Sequence, residues 1–157
     1  MIATNPPLRR VDAGELSVAY YDLGDATGEP VVLLHGFPYD VHSYTDVAPQ
    51  LVEAGFRVLV PYLRGHGPTR FLDEHSDRSG QQAALGADLL AFLDALDLEE
   101  PVLGGYDWGG RAACAVAALW PDRVSGLVSV NGCLIQDIAA AQNPIRPDFE
   151  AGFWYFW

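Results

Sequence analysis

Short, continuous runs of apolar residues alternate with helical patterns along most of the chain, and this alternation restricts the fold more than any other feature. The runs occupy residues 31–34, 58–60, 102–103 and 127–130. Runs of this length suit β-strands that are buried on both faces, as in parallel sheets. Strands that alternate with helices predict an α/β fold with a mostly parallel, doubly wound sheet. Ligands of such sheets bind at the carboxyl ends of the strands, so the loops there are the places to look for chemistry.

Two segments between these runs have helical spacing. Val47, Leu51 and Ala54 are separated by four and three residues, which places them on one side of a helix. Ser79, with Gln82 three residues later, predicts a capping box at the start of the second helix. The apolar face of that helix is formed by Leu85, Leu89, Leu93 and Leu96.

A weaker strand signal precedes the first apolar run. Residues 16–21 alternate weakly and are rich in β-forming residues. Gly24, Asp25 and Gly28 then predict a turn. We therefore expect an early pair of strands beside this turn.

Composition excludes two classes of partner. The 157 residues are half apolar, which suits one domain with a sizeable core. The formal charge is -12, and the nine basic residues, all arginine, form no cluster beyond Arg9 and Arg10, so we expect no nucleic acid as a partner. The longest uncharged apolar stretch, residues 112–120, is far shorter than the ~20 residues of a membrane span. We expect no membrane association and no export signal.

The two cysteines, Cys114 and Cys133, have neither a disulfide framework nor metal-ligand spacing. We interpret both as buried, reduced side chains, which favours a cytoplasmic protein. No dinucleotide fingerprint follows the first strand and no cluster of metal ligands is present in the sequence. The sequence therefore implies neither a cofactor nor a metal.

The motif GGYDWGG, residues 104–110, places an acid between glycines directly after an apolar run. A G-x-S-x-G motif in the same position forms a sharp strand-to-helix turn that exposes a nucleophilic serine. Here Asp107 takes the place of that serine. The simpler alternative is that Asp107 only caps the helix that follows, which is a common use of aspartate.

An ionised carboxylate needs no base to act as a nucleophile, because its reference pKa of ~3.9 keeps it charged at neutral pH. In a pocket that removes its hydration, it suits displacement of an oxygen or halide from a saturated carbon. The product is an alkyl ester of Asp107, whose hydrolysis requires hydrogen-bond donors for the oxyanion. The backbone N–H of Trp108 and that of Phe37, in the loop HGFP after an earlier strand, are the expected donors. His35 then has a structural role.

The motifs HGFP, PYLRGHGPT and GGYDWGG, in this order, resemble the α/β-hydrolase fold, and more narrowly its epoxide hydrolase and haloalkane dehalogenase branch, which has an aspartate nucleophile. The resemblance covers the chain from about Val18 onward. It implies that residues 1–133 form the N-terminal part of the core domain, truncated after about the sixth strand. It also implies that residues 134–157, which end in the apolar AGFWYFW, begin a helical lid.

The two reactions of this branch differ in how the leaving group is stabilised. Epoxide hydrolases protonate the epoxide oxygen with lid tyrosines, and Tyr155 falls where the first of these is expected, although an aromatic residue in the lid core is an equal alternative. Dehalogenases hold the halide with Trp108 and a second donor, which is often an asparagine at the position of Phe37. The phenylalanine favours an epoxide as the small-molecule substrate over a haloalkane.

The family hydrolyses the ester with a histidine after the last strand, oriented by an acid, and no histidine follows His75 in the sequence. His66 is the one earlier histidine that merits a test as a substitute, and Asp137 is a candidate orienting acid that is more simply a surface residue. We therefore expect a fragment, a truncated product or half of a split enzyme. Its partner is then a C-terminal half or, through an exposed sheet edge, a second copy. A non-catalytic domain is the remaining alternative.

Overall fold

The computed structural model describes residues 6–132, 143–144 and 146–152. Its strands are β1 Arg9–Ala13, β2 Leu16–Leu23, β3 Pro30–Leu34, β4 Arg57–Pro61, β5 Arg70–Phe71, β6 Val102–Tyr106 and β7 Gly126–Val130. Its α-helices are α1 Val47–Glu53, α2 Gln82–Ala95, α3 Asp107–Leu119 and α4 Pro147–Gly152, with 3-10 helices at Val41–Tyr44 and Pro121–Arg123. The predicted Cys133, Asp137 and Tyr155 lie outside the described residues.

The strands form one seven-stranded sheet in the order β1-β2-β4-β3-β6-β7, with β5 beside β2. Strands β4, β3, β6 and β7 are parallel to one another, whereas β1, β2 and β5 pair antiparallel. The predicted α/β class with a mostly parallel central sheet is therefore confirmed. Each of the four apolar runs lies in one of the parallel strands, and β3 and β6 lie at the centre.

The early strand pair differs from the expected one. Strand β2 pairs with β1, which precedes it, through a turn in which Gly14 has φ of 57°. The segment around Gly24 and Gly28 instead leads into β3, which pairs with β4 and β6. The sequence pattern did not predict strand β1, because its residues, RRVDA, are mostly exposed and contain no apolar run.

The capping box predicted for α2 is wrong. The helix begins at Gln82 after Gln81, and no side chain caps it. Ser79 lies outside the helix because Arg64 Nη1 donates a hydrogen bond to its carbonyl at 2.8 Å, and its Oγ accepts from Gln81 N at 3.3 Å. The apolar face of α2 is as predicted at Leu85, Leu89 and Leu93, which are buried.

The core has two parts, one on each face of the sheet. Val32 and Leu34 of β3 belong to the part beneath α2 and α3, while Val31 and Leu33 belong to the part beneath α1. Alternate residues of one strand are therefore buried on opposite faces, as the continuous apolar run requires.

The face beneath α1 is only partly covered. On this face the edge strand β7 exposes Val128 and Val130. Beside it lies a cavity of about 510 Å³ whose apolar lining includes Val47, Leu51, Val128 and Val130. The helical spacing of Val47 and Leu51 was correctly predicted, but these side chains line an open cavity rather than a closed core. No helix in the described part of the chain is long and apolar enough to cross a membrane.

Candidate active site

A sharp turn joins β6 to α3 at Asp107. The residue has φ of 50°, a left-handed conformation that is rare for a residue with a side chain. A Cβ on Gly109 would lie 2.1 Å from Leu34 O, and one on Gly105 would lie 2.7 Å from the backbone of Gly109. The glycines of GGYDWGG are therefore needed because strand, turn and helix approach too closely for side chains.

The turn brings Asp107 against the loop after β3. Phe37 N–H donates a hydrogen bond to Asp107 Oδ1 at 3.0 Å, across 70 residues of sequence. A Cβ on Gly36 would lie 2.5 Å from Asp107 Cβ, so glycine is required there as well. The N-cap of α3 is Tyr106 rather than Asp107, and the helix has no side-chain capping hydrogen bond. This geometry argues against the simple capping role for Asp107.

The other predicted residues differ in what they contribute to the turn. Phe37 provides its backbone N–H to Asp107, and the residue itself is 67 % exposed. Trp108 packs against the core beneath α2 and α3, and the guanidinium of Arg111 lies over its ring at 4.6 Å from the centroid. Tyr155 and Asp137 cannot be compared with this site because they lie outside the described residues.

Two hydrogen bonds that sequence reasoning missed hold the segment after β3, one to the residue before the turn and one to β3 itself. Tyr106 OH and Ser43 Oγ form a hydrogen bond of 2.8 Å, and Tyr44 OH donates to Leu34 O at 2.8 Å. Burial raises the pKa of Tyr44, so its hydroxyl remains a donor. Tyr106 directly precedes Asp107, and this position in the sequence was the only signal that could have identified Tyr106 as part of the site.

The histidines of the two HG motifs lie side by side, His35 buried and His66 half-buried. His35 is fully buried and accepts a hydrogen bond from Leu63 N–H at Nε2, 3.1 Å away. Its proton is therefore on Nδ1, which faces Gly36 O at 3.1 Å. His66 lies 4.8 Å from His35 between ring centroids, and its Nδ1 contacts Arg64 O at 3.0 Å. These contacts fit the structural role expected for His35 and bring His66 into no contact with Asp107.

The stability of the fold should depend on pH through His35. Burial lowers the pKa of His35 below its usual value, because desolvation penalises the imidazolium, while His66 opposes and Asp40 favours the charge. Since the folded pKa is the lower one, the unfolded state binds more protons below about pH 6.5, and the free energy of unfolding decreases there. It stops decreasing once the pH has passed the folded pKa.

We expect His35→Gln to be less stable at neutral pH but to lose less of its free energy of unfolding between about pH 7.5 and 5.5. Urea unfolding of both proteins at the two pH values measures this difference. A His42→Gln variant is the control, because His42 is exposed. If the wild type and His35→Gln lose equal amounts, the prediction is wrong.

No group of three or more histidine, cysteine or acidic side chains in the described part of the chain is arranged to hold a metal ion.

Comparison with known proteins agrees with this architecture. The model of the α/β-hydrolase fold family matches residues 29–155, which is most of the chain. The chain belongs to the α/β-hydrolase fold family. In α/β-hydrolases the nucleophile lies on a sharp strand-to-helix turn, and the oxyanion donors are backbone N–H groups of the next residue and of a loop after a neighbouring strand.

Three relatives illustrate the branch. A Klebsiella pneumoniae structure, provisionally named as an epoxide hydrolase, has a TM-score of 0.87 and 49% identity over 94% of this chain and 49% of its own. A haloalkane dehalogenase of Mycolicibacterium paratuberculosis is 35% identical over 89% of this chain and 44% of its own. Epoxide hydrolase B of Mycobacterium tuberculosis is 36% identical over 68% and 30%. The chain therefore spans less than half the length of each of these three proteins.

Proposed function

We propose that this chain carries the nucleophile of an epoxide hydrolase-like enzyme and that the nucleophile is Asp107. The observation that carries the proposal is the 3.0 Å hydrogen bond from Phe37 N–H to Asp107 Oδ1 at a turn with φ of 50°. This arrangement presents a carboxylate, rather than a hydroxyl, to a backbone donor of the neighbouring loop. A carboxylate in this position suits attack on a saturated, strained carbon.

In the first step an oxygen of Asp107 attacks an epoxide carbon. A C–O ester bond forms, the ring C–O bond breaks with its electron pair on the epoxide oxygen, and that oxygen takes a proton. We propose Tyr155, on the lid that residues 134–157 begin, as the proton donor. Residues 1–133 are then the N-terminal part of the core domain. We also propose a cytoplasmic setting for the chain.

In the second step water attacks the ester carbonyl, the bond between the carbonyl carbon and the alkyl oxygen breaks, and that oxygen takes up the proton lost by water, so that the product leaves as a diol. The oxyanion that forms is stabilised by the backbone N–H groups of Phe37 and Trp108. Water requires a general base, and none of the four histidines contacts Asp107: His35 is buried and His66 half-buried, each with a hydrogen-bond contact elsewhere, while His42 and His75 are exposed. We therefore expect the ester to accumulate on this chain alone.

A haloalkane is the alternative substrate, favoured by the relationship to a haloalkane dehalogenase. Trp108 serves either reaction, whereas phenylalanine at position 37 offers no side-chain donor for a halide. An epoxide is therefore the preferred class. A non-catalytic domain with the same fold is the second alternative.

Mass spectrometry of peptides tests the proposal. The 157-residue chain is incubated with small epoxides and, separately, with alkyl bromides. We expect the epoxide to add its mass to the peptide that contains Asp107 and to remain there. Bromide release with inert epoxides would instead support the dehalogenase. If neither reagent modifies Asp107, even with a C-terminal half present, the non-catalytic alternative is favoured.

We further propose that the open face beside β7 binds the C-terminal half of an α/β-hydrolase core. The match covers 49% of the Klebsiella relative, so about as much of that chain again lies outside the matched region. The exposed Val128 and Val130 at the edge of a parallel sheet form an apolar surface of the kind that seeks burial. Such a half is also a source of the missing general base.

The C-terminal half of the Klebsiella chain, made as a separate polypeptide, is the probe for this surface. We expect a 1:1 complex, and Val128→Asp should weaken it at least about tenfold because a charge is then buried without a partner. Leu72→Asp is the control, since Leu72 has similar exposure, 53% against 58%, but does not line the cavity. Sedimentation velocity measures complex formation by both variants. Homodimers that Val128→Asp dissociates, with no binding of the Klebsiella half, would show self-association instead.

A further inference from the structure

His35 and Thr69 are buried polar residues whose hydrogen bonds lead to the proposed oxyanion donor. Apart from tyrosine and cysteine, they are the two polar residues that are buried within the described ranges. His35 comes from the HGFP loop, and Thr69 is the last residue of the motif PYLRGHGPT. Burial of a polar group is costly unless its hydrogen bonds are made, so the contacts of these two side chains indicate why they are buried.

Thr69 links strand β2 to the segment after β4. Ala19 N–H donates a hydrogen bond to Thr69 Oγ1 at 3.0 Å, and Thr69 Oγ1 donates to Tyr62 O at 2.8 Å. That carbonyl belongs to the peptide group whose N–H is that of Leu63. Leu63 N–H in turn donates to His35 Nε2 at 3.1 Å. One hydroxyl and one peptide group therefore connect β2 to the histidine.

His35 continues the same chain of hydrogen bonds to the nucleophile. Because Nε2 accepts, the single proton of the neutral ring is on Nδ1, which donates to Gly36 O at 3.1 Å. Burial lowers the pKa of His35, which keeps the ring neutral. The Gly36 carbonyl belongs to the peptide group whose N–H is that of Phe37. This N–H, which donates to Asp107 Oδ1 at 3.0 Å, is thus the last donor of the chain.

All five hydrogen bonds of this chain run in the same direction. Each peptide group accepts at its oxygen and donates at its nitrogen, and the hydroxyl and the imidazole also accept one bond and donate the next. Hydrogen bonds in such a series polarise one another, and each strengthens the next by about 10–30%. The last bond comes from Phe37 N–H, and an N–H aimed at a developing oxyanion contributes a factor of about 10²–10³ to the rate.

We propose that His35 and Thr69 are positioning residues for the second step of the reaction, because they strengthen and orient the Phe37 N–H that stabilises the oxyanion. This inference rests on the proposed nucleophile Asp107. Attack by one carboxylate oxygen leaves the other as the carbonyl oxygen of the ester, and the oxyanion forms on that oxygen. Alkylation forms no oxyanion on the carboxylate. The two residues should therefore accelerate release of the ester without accelerating its formation.

Glutamine and asparagine at position 35 separate the two hydrogen bonds of the histidine. The side-chain amide of asparagine lies near the position of Nδ1 and can donate to Gly36 O, whereas that of glutamine lies near the position of Nε2 and can accept from Leu63 N–H. Gly36 also packs against the turn, since a Cβ added there would lie 2.5 Å from Asp107 Cβ and 2.9 Å from the ring of Tyr106. This packing should hold the peptide group in place in both variants.

The first test measures the hydrogen bonds without any reaction, in ¹H–¹⁵N spectra of the 157-residue chain. We expect the Phe37 amide proton to resonate upfield in His35→Gln relative to His35→Asn, because only the glutamine loses the bond to Gly36 O. The Leu63 amide proton should show the reverse difference. Both variants lack the imidazole ring, so its ring current does not contribute. Equal Phe37 shifts in the two variants overturn the inference.

A second pair of variants applies the same measurement to the far end of the chain. Thr69→Val removes the hydroxyl and keeps the shape of the side chain, whereas Thr69→Ser keeps the hydroxyl. We expect the Phe37 amide proton to lie upfield in Thr69→Val relative to Thr69→Ser. This pair decides the inference if a variant at position 35 does not fold, and equal shifts overturn it.

The chemical test measures release of the ester. Asp107 is alkylated with 1,2-epoxybutane, the excess is removed and hydroxylamine is added. Its nitrogen attacks the ester carbonyl, the bond to the alkyl oxygen breaks, and that oxygen takes the proton lost by nitrogen, so a diol leaves and Asp107 keeps a hydroxamate. We expect release about two- to eightfold slower in His35→Gln than in His35→Asn, which is 10–30% of the oxyanion factor on a logarithmic scale. The rates of alkylation should be equal in the two variants.

Thr27→Val is the control for loss of a threonine hydroxyl, because Thr27 is exposed and its hydroxyl bonds only locally, to Asp25 at 2.8 Å. It should leave release unchanged. Equal release in the two variants at position 35, or an equal decrease of alkylation and release in His35→Gln, overturns the inference. So does release from the folded wild type that is no faster than from the labelled chain in urea. If no ester forms at Asp107, the proposed nucleophile is contradicted, and the spectra still decide whether the chain strengthens Phe37 N–H.

Discussion

Asp107→Asn is expected to reduce the rate of alkylation by a small epoxide at this position by about a thousandfold or more. The amide has no charge and its oxygen is a far weaker nucleophile than a carboxylate oxygen. It can still accept the hydrogen bond from Phe37 N–H, so the turn and the loop after β3 should be preserved. Peptide mass spectrometry after a fixed time with the epoxide measures the loss.

The control tests whether the epoxide reacts nonspecifically with acidic residues, because 20 of the 21 remain in Asp107→Asn. Asp122→Asn removes an exposed acid far from the turn in sequence and should leave labelling of Asp107 unchanged. Equal labelling of the wild type and Asp107→Asn would contradict the assignment of the nucleophile. Circular dichroism spectra must be superimposable, so that loss of labelling reports chemistry and not unfolding.

Gly109→Ala should have the largest effect on stability of any single methyl addition near the site. Its Cβ would lie 2.1 Å from Leu34 O, and the obstacle is backbone of a central strand that cannot move without disturbing the sheet. Added groups in packed interiors cost about 1–3 kcal/mol, and we expect a value at the upper end or beyond. Urea unfolding of the variant and the wild type measures the difference.

Gly80→Ala is the matched control for this prediction. Gly80 has no heavy atom within 4 Å of the position of an added Cβ, and its backbone is not left-handed. The alanine should therefore be neutral or slightly stabilising, since it restricts the unfolded chain. If Gly109→Ala and Gly80→Ala unfold at the same urea concentration, the close approach between α3 and β3 is not a constraint.

Sequence reasoning succeeded where hydrophobic burial alone decides the structure. The four apolar runs predicted the parallel strands, and GGYDWGG predicted the turn at Asp107, because close backbone approach leaves a visible trace of glycines. Sequence reasoning failed where contacts between residues distant in the sequence determine the structure. Ser79 resembles a helix cap, but Arg64 holds it outside α2. Strand β1 is defined by pairing with β2 and not by its own pattern.

Two elements of the candidate site were also beyond prediction. The bond between Tyr106 and Ser43 joins positions 63 residues apart, and neither residue type in isolation indicates a contact. The bond from Ala19 N–H to Thr69 Oγ1 joins positions 50 residues apart. In the sequence, nothing distinguishes the buried Thr69 from an exposed threonine such as Thr27.

The pairing of β3 with β6 determines how far Phe37 N–H lies from the Asp107 carboxylate. Leu34 is paired with Gly105, so Phe37 and Asp107 begin their turns from a shared level of the sheet. A slip that keeps the same side chains inward moves one strand by two residues, or about 6.6 Å, more than twice the 3.0 Å that now separates donor and carboxylate. The register of the sheet thus sets the distance between Phe37 N–H and the Asp107 carboxylate. Buried valines and leucines that contact no substrate therefore fix the geometry on which the proposed chemistry depends.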